Sequence, residues 1–227
     1  MKTEFTIYHG SPVEVRVPLL EKCKENNDYG KGFYCTADTD MAKEWASAAD
    51  RDGYSNKYRL DMDGLNILDL NDGSFTILHW LSILLENRKF HENSPLAKEA
   101  KTYLLSNFRP DYEKYDIIKG YRADDSYFSF AQDFINGTIS LRQLSFAMKL
   151  GNLGDQIVLK SQRAFEDIRF IEAEAVDSKI WYIKKEQRDT KARKEYFQMD
   201  RDRYIKGEIY ITRILDEEIK ADDPRIR

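Results

Sequence analysis

The chain has 227 residues, 41% of them hydrophobic and 13% aromatic, which indicates a packed globular core rather than a disordered chain. A formal net charge of −4 excludes a strongly basic nucleic-acid-binding domain. The two cysteines, Cys23 and Cys35, lack the spacing of a metal site or a disulfide framework, so we expect a reducing, cytoplasmic compartment. No apolar run approaches the ~20 residues that cross a bilayer, so no membrane segment is expected.

The N-terminal part of the chain predicts three strands and a helix. Alternating residues predict a first strand over residues 4–8, and the segment GFYCT predicts a second over residues 32–36. Asp38 is a suitable N-cap for the helix formers that follow it. Alternation returns over residues 56–62, and residues 65–70 are predicted as a strand or a turn.

The middle of the chain changes to a helical period. Apolar residues at helical spacing predict a helix over residues 75–89. Ser94 and Pro95 predict the N-cap and first turn of another, reaching about residue 108. We interpret residues 74–110 as a helical insertion between two strand-rich parts. Its histidine at position 79 has no further ligand at metal spacing, so no metal site is expected.

The second half of the chain mixes strands and helices without a regular βαβ alternation. That mixture predicts a single α+β domain over residues 1–227, with a charged C-terminal extension over about 180–227. The charges from Lys184 onward are typical of a solvated helix face. Strands are predicted over 115–121, 156–159, 168–176 and 207–215, and helices over 126–135, 140–150 and 184–203.

Two short motifs near the start carry the chemical information. The first is His9-Gly10-Ser11, and the second is Gly30-Lys31-Gly32-Phe33-Tyr34. An imidazole and a polar aromatic ring on adjacent strands, flanked by glycines, suit a flat ligand. Alone, His9-Gly10-Ser11 is more typical of a turn, and Tyr34 alone is more typical of a core aromatic residue.

These motifs, with Trp45 eleven residues after Tyr34, resemble the NAD-binding core of ADP-ribosyltransferases of the poly(ADP-ribose) polymerase type. The resemblance implies a split, strongly bent β-sheet and NAD as the substrate. It implies that His9 bonds a ribose hydroxyl, that the Gly10 main chain holds the nicotinamide carboxamide, and that Tyr34 and Trp45 sandwich the ring. The implied cofactor-binding set is His9, Gly10, Ser11, Gly32, Tyr34, Trp45 and Asp124.

Two positions depart from the family pattern. Ala42 stands where the family usually has a serine that bonds the carboxamide. Gln156 is the best match to a glutamate that opens a late strand in the family. An amide can bond a ribose hydroxyl, but it cannot act as a base or stabilise an oxocarbenium-like transition state by charge. Either transfer is slow, or a carboxylate from Asp124 or Asp125 enters the site. The expected catalytic set is therefore His9, Tyr34, Gln156 and Asp125.

A wider resemblance covers residues 5–165. Five ordered segments are similar to a bacterial family of uncharacterised domains placed in the ADP-ribosyltransferase superfamily. Members of that family look like components of toxin–antitoxin systems, which implies a cognate neutralising protein. The expected function is NAD-dependent mono-ADP-ribosyl transfer to a protein or nucleic-acid acceptor. A non-catalytic NAD- or ADP-ribose-binding module and an NAD glycohydrolase are the alternatives.

Overall fold

Two β-sheets and eight α-helices make up the part of the chain that the computed structural model describes, namely residues 4–122, 125–152, 154–199 and 204–227. The mixture confirms the predicted α+β class. Contacts divide the chain into two compact units. The first contains the described parts of 1–69, 112–122 and 153–189, and the second those of 70–111, 123–152 and 190–227.

The first sheet belongs to the first unit and has three antiparallel strands. Its order is β1 (Glu4–Ser11), β3 (Gly53–Asp61) and β7 (Ile168–Val176). All three were predicted, but β1 continues for three residues beyond the predicted end. The imidazole of His9 therefore stands within a paired strand, where His9 lies opposite Asn56.

The second sheet also belongs to the first unit and has four strands. Its order is β2 (Phe33–Cys35), β6 (Asp155–Leu159), β5 (Ile117–Tyr121) and β4 (Ile67–Asp69). The β4–β5 pair is parallel, and the other two pairs are antiparallel. This arrangement places the predicted residues Tyr34 and Gln156 in the neighbouring strands β2 and β6.

In the described part of the chain, a backbone bridge between Tyr8 and Thr36 links the two sheets. The amide of Tyr8 donates to the carbonyl of Thr36 at 2.8 Å, and the amide of Thr36 donates back at 2.9 Å. Apart from this bridge, β1 pairs with β3 along its whole length, and β2 pairs with β6. A shared apolar cluster fills one side of both sheets, with Ile7, Phe33, Cys35, Tyr58, Leu60, Leu65, Ile117, Ile157, Leu159, Ala164, Phe165 and Ile168.

Helices of the first unit close over this framework. Helix α1 (Thr39–Ala46) begins after Asp38, whose side chain accepts from the amides of Asp40 and Met41, as predicted. The next helical segment of this unit, α6 (Gln162–Glu166), is capped by Ser161. Helix α7 (Ser178–Gln198) belongs to the first unit as far as residue 189 and starts six residues before its predicted beginning, because Asp177 caps the amide of Lys179.

The second unit is helical. The two insertion helices occur as predicted, at α2 (Ile77–Asn87) and α3 (Pro95–Phe108), and Ser94 caps the latter. The unit also contains α4 (Asp125–Ile135), α5 (Leu141–Ala147) and α8 (Ile211–Asp216).

Helix α8 corrects the prediction of a strand over residues 207–215. Ile211 and Ile214 are both fully buried, and their spacing of three residues suits one face of a helix. The apparent alternation around Ile209 was too short to distinguish the two periods. Over the residues that the structure describes, no helix has both the length and the apolar character required to cross a membrane.

Candidate functional site

His9 fastens β1 to β2 at the point where the two sheets separate. Its Nδ1 lies 2.7 Å from the carbonyl oxygen of Tyr34, which can only accept, so Nδ1 carries the hydrogen. The imidazole also packs on Phe33, with ring centroids 4.3 Å apart. Burial lowers the pKa of His9 below the usual histidine value, against the opposing effect of the bond to Tyr34. The neutral ring therefore presents Nε2 as a hydrogen-bond acceptor.

Gly10 lies directly under helix α1. A Cβ atom at this position would stand 2.0 Å from the carbonyl oxygen of Ala42 and 2.8 Å from the Cβ of Trp45. Along a strand, the N–H and C=O groups of every second residue point to the same edge. Those of Tyr8 point away from β3, toward Thr36, so those of Gly10 also point away from β3. Helix packing requires the glycine, and its backbone groups are directed to the opening between the sheets.

Ser11 takes part in a buried network around Asn56. The Ser11 hydroxyl donates to the carbonyl of Val13. The fully buried Asn56 amide donates to the carbonyls of His9 at 3.2 Å and Val13 at 3.3 Å, and its oxygen accepts from the amide of Val15 at 2.8 Å. This network shapes the turn after β1. The predicted contact between Ser11 and a ligand remains a prediction.

Tyr34 is held by the loop that precedes it. Its hydroxyl donates to the carbonyl of Gly30 at 2.6 Å and accepts from the amide of Tyr29 at 3.0 Å. Gly32 faces β6 closely, since a Cβ there would stand 2.6 Å from Val158 and 2.8 Å from the carbonyl of Leu159. Because the phenol supports the loop, the half-buried ring is the part of Tyr34 that can contact a ligand.

Trp45 projects from α1 next to Gly10. The guanidinium carbon of Arg122 lies 4.3 Å from the centroid of its ring, which is a cation–π distance. The Nε1 of Trp45 is buried and has no hydrogen-bond partner among the described residues. The predicted sandwich of Tyr34 and Trp45 around a ligand remains a prediction.

Gln156 lies on the same face of the second sheet as Tyr34. In the register, Gln156 opposes Gly120, and Tyr34 opposes Val158, two residues further along the same strand. The Gln156 side chain is buried, and its Oε1 has no hydrogen-bond partner among the described residues. A buried acceptor without a partner costs about 1–3 kcal/mol, so this position suits a donor supplied by a ligand.

Of the two predicted aspartates, Asp124 lies outside the described residues. Asp125 begins α4 in the second unit, and its side chain is also outside what the structure describes. Their predicted roles therefore remain predictions.

An ion pair that the sequence did not predict supports α1. The Nε of Arg188 on α7 lies 2.8 Å from a carboxylate oxygen of Glu44, and their side chains are only 12% and 8% exposed. Beside them, Lys43 lies 5.1 Å from the ring centroid of Trp181 and pairs with Glu174 at 2.7 Å. Arg188 is thus largely buried, whereas several charged residues of α7, such as Lys184 and Lys191, are exposed as predicted, and α7 braces the helix that carries Trp45.

Comparison with known proteins identifies one family model. A model described as a protein of unknown function (DUF3990) matches residues 5–170, a range that contains every predicted site residue. No curated protein and no solved structure matches the chain. Within the described ranges, no group of three or more His, Cys, Asp or Glu side chains is arranged to hold a metal ion.

Proposed function

We propose that this chain, which belongs to the DUF3990 family, is an NAD-dependent mono-ADP-ribosyltransferase that acts on a macromolecular acceptor. Two sheets that separate beyond one bridge, with His9 and Tyr34 at the separation, support an ADP-ribosyltransferase-like split sheet. The bacterial toxin–antitoxin setting and a neutralising partner protein are part of this proposal, as is a cytoplasmic location.

The observation that carries the proposal is the unpartnered Oε1 of Gln156 on the Tyr34 face of the sheet. Gln156 and the Nε2 of His9 are two acceptors, and the hydroxyls of a ribose are matching donors. The N–H and C=O of Gly10 complement a carboxamide, and the Tyr34 ring offers an aromatic surface to nicotinamide. The residues present therefore fit NAD.

The reaction breaks the bond between the ribose C1′ and the nicotinamide nitrogen. Nicotinamide leaves as a neutral molecule, the acceptor nucleophile bonds to C1′, and the acceptor loses a proton to solvent. His9 and Gln156 orient the ribose, and Gly10 orients the leaving group. The amide of Gln156 provides no charge for the transition state, so we expect slow, single transfers rather than chain elongation.

The same amide favours a second candidate, a non-catalytic module that binds NAD or ADP-ribose. Such a module would keep the acceptors that hold the ribose and lack the carboxylate that promotes turnover. NAD glycohydrolysis uses water in place of the macromolecular acceptor. Its product, free ADP-ribose, distinguishes it from both candidates.

The test is incubation of the protein with adenylate-labelled NAD and a bacterial lysate. We expect label on macromolecules with the wild type, and a loss of about 100-fold in His9→Ala, because positioning contributes strongly to such reactions. His91→Ala is the matched control, since His91 is an exposed residue of the second unit. Free ADP-ribose without labelled macromolecules would establish a glycohydrolase, and binding without consumption of NAD would establish the binding module.

Gln156→Glu tests the position of the catalytic centre. A carboxylate next to the reacting ribose would speed the breaking of the nicotinamide bond, whereas Gln162→Glu makes the same chemical change at an exposed site. A faster release of nicotinamide only in Gln156→Glu supports the assignment. No gain in a variant that still folds and binds NAD would contradict it.

A further inference from the structure

A cation and an indole meet on the side of the sheets that carries Gln156. Arg122 follows the last residue of β5 and stands two residues after Gly120, which pairs with Gln156. Trp45 reaches the same region from α1, where its Cβ adjoins Gly10. The 4.3 Å contact between Arg122 and the Trp45 ring therefore joins the two ends of the candidate site.

This stack is chemically suited to an anion. A guanidinium carries its N–H donors in one plane as a fork, which is the geometry that phosphate oxygens accept, and an aromatic ring beside it supports the charge. The indole Nε1–H of Trp45 is a donor only, and it is buried without a partner among the described residues. The positive charge of Arg122 and the unsatisfied indole donor of Trp45 thus lie together.

The stack is poorly suited to the nicotinamide ring. The nicotinamide of NAD is a pyridinium with a positive charge, which the Arg122 guanidinium repels. Arg122 also covers one face of the Trp45 ring, the surface that a sandwich would use. Trp45 accordingly serves as a support and a donor, and Tyr34 is left as the ring surface.

We propose that Arg122 and the Nε1–H of Trp45 hold the phosphate groups of a pyrophosphate-containing ligand. The inference rests on the proposed function for the identity of that ligand as NAD. In this arrangement the pyrophosphate of the ligand lies at the Arg122–Trp45 contact, and its ribose hydroxyls point toward Gln156 and His9. Binding at the stack requires no covalent step.

The experiment compares four probes by calorimetry: ADP-ribose, NAD, nicotinamide riboside and inorganic pyrophosphate. We expect Arg122→Gln to weaken the binding of ADP-ribose, NAD and pyrophosphate at least 10-fold, and that of nicotinamide riboside less than 3-fold. Trp45→Phe removes the Nε1–H donor and keeps a smaller aromatic ring beside Arg122, so a smaller loss confined to the same three probes is expected. Arg59→Gln, at an exposed position of β3 in the same unit, is the matched control.

The outcomes separate this inference from the proposed function. Equal losses for nicotinamide riboside and ADP-ribose, or no loss with any probe in folded Arg122→Gln, would overturn the anion site and leave the proposed function standing. Pyrophosphate binding that depends on Arg122, without any nucleotide binding by the wild type, would support the anion site and overturn NAD as the ligand. A wild type that binds none of the four probes would overturn both.

Discussion

Asn56 shows how one side chain holds the end of β1 in place. Its amide bonds the backbone on both sides of the turn, at His9, Val13 and Val15. We predict that Asn56→Ala lowers the free energy of unfolding by about 2–4 kcal/mol, because several buried backbone groups lose their partner. Urea unfolding measures this loss. Asn66→Ala, at an exposed position, should change the stability by less than about 0.5 kcal/mol, and equal effects would contradict the role of Asn56.

At the same scale, His9 makes stability depend on pH. Burial lowers the pKa of His9 and also that of His79, so in both cases the unfolded chain takes up the proton first as the pH falls. Stability is therefore fully present above a pH of about 6.5, the usual histidine pKa, and declines below it, by up to about 1.4 kcal/mol per pH unit for each histidine.

We predict that His9→Gln reduces this decline, because the contribution of His9 is removed and that of His79 remains. Urea unfolding at pH 7.5, 6.5 and 5.5 gives the slope, and the comparison with wild type cancels the carboxyl groups that titrate in both proteins. The exposed residue His91 provides the control His91→Gln, which should keep the wild-type slope. A wild-type slope in His9→Gln would show that His9 does not stay neutral in the folded protein.

At the scale of elements, the contact between α1 and α7 depends on the buried ion pair of Glu44 and Arg188. Arg188→Ala would leave the Glu44 carboxylate buried without its cation, and we predict a loss of about 3–5 kcal/mol in the free energy of unfolding. The double variant Glu44→Leu with Arg188→Leu should recover part of that loss, because Glu44 no longer leaves a buried charge, whereas Asp189, 3.0 Å from Arg188, still loses its cation. The exposed pair of Lys191 and Glu195 is the control, and Lys191→Ala should cost less than about 0.5 kcal/mol.

The sequence predicted the elements better than the contacts between them. Strand β7 and the N-cap of α1 followed from local patterns, namely alternation and an aspartate before helix formers. The Glu44–Arg188 pair joins residues 144 positions apart, and no local pattern records such a pairing. For the same reason, Arg122 was visible as a charge beside β5, but its contact with Trp45 could not be predicted.

For the whole molecule, the division into two units makes a prediction about ligand binding. His9, Gly10, Tyr34, Trp45 and Gln156 all belong to the first unit. We predict that ADP-ribose slows amide hydrogen exchange in residues 4–69, 112–122 and 154–189, because a ligand stabilises the groups that it contacts. Exchange measured by mass spectrometry tests this prediction. Protection confined to residues 70–111 would place the ligand elsewhere.

The family match and the hydrogen-bonded structure end at different residues. The match stops at residue 170, two residues after the start of β7, while that strand continues to Val176 and the partner of Glu44 lies at position 188. A recombinant fragment that ends at residue 170 would retain every motif residue. It would also cut the edge strand β7 and leave the buried Glu44 carboxylate without Arg188. Expression or fusion boundaries for this protein are therefore better placed beyond α8, whose Ile211 and Ile214 are fully buried in the second unit.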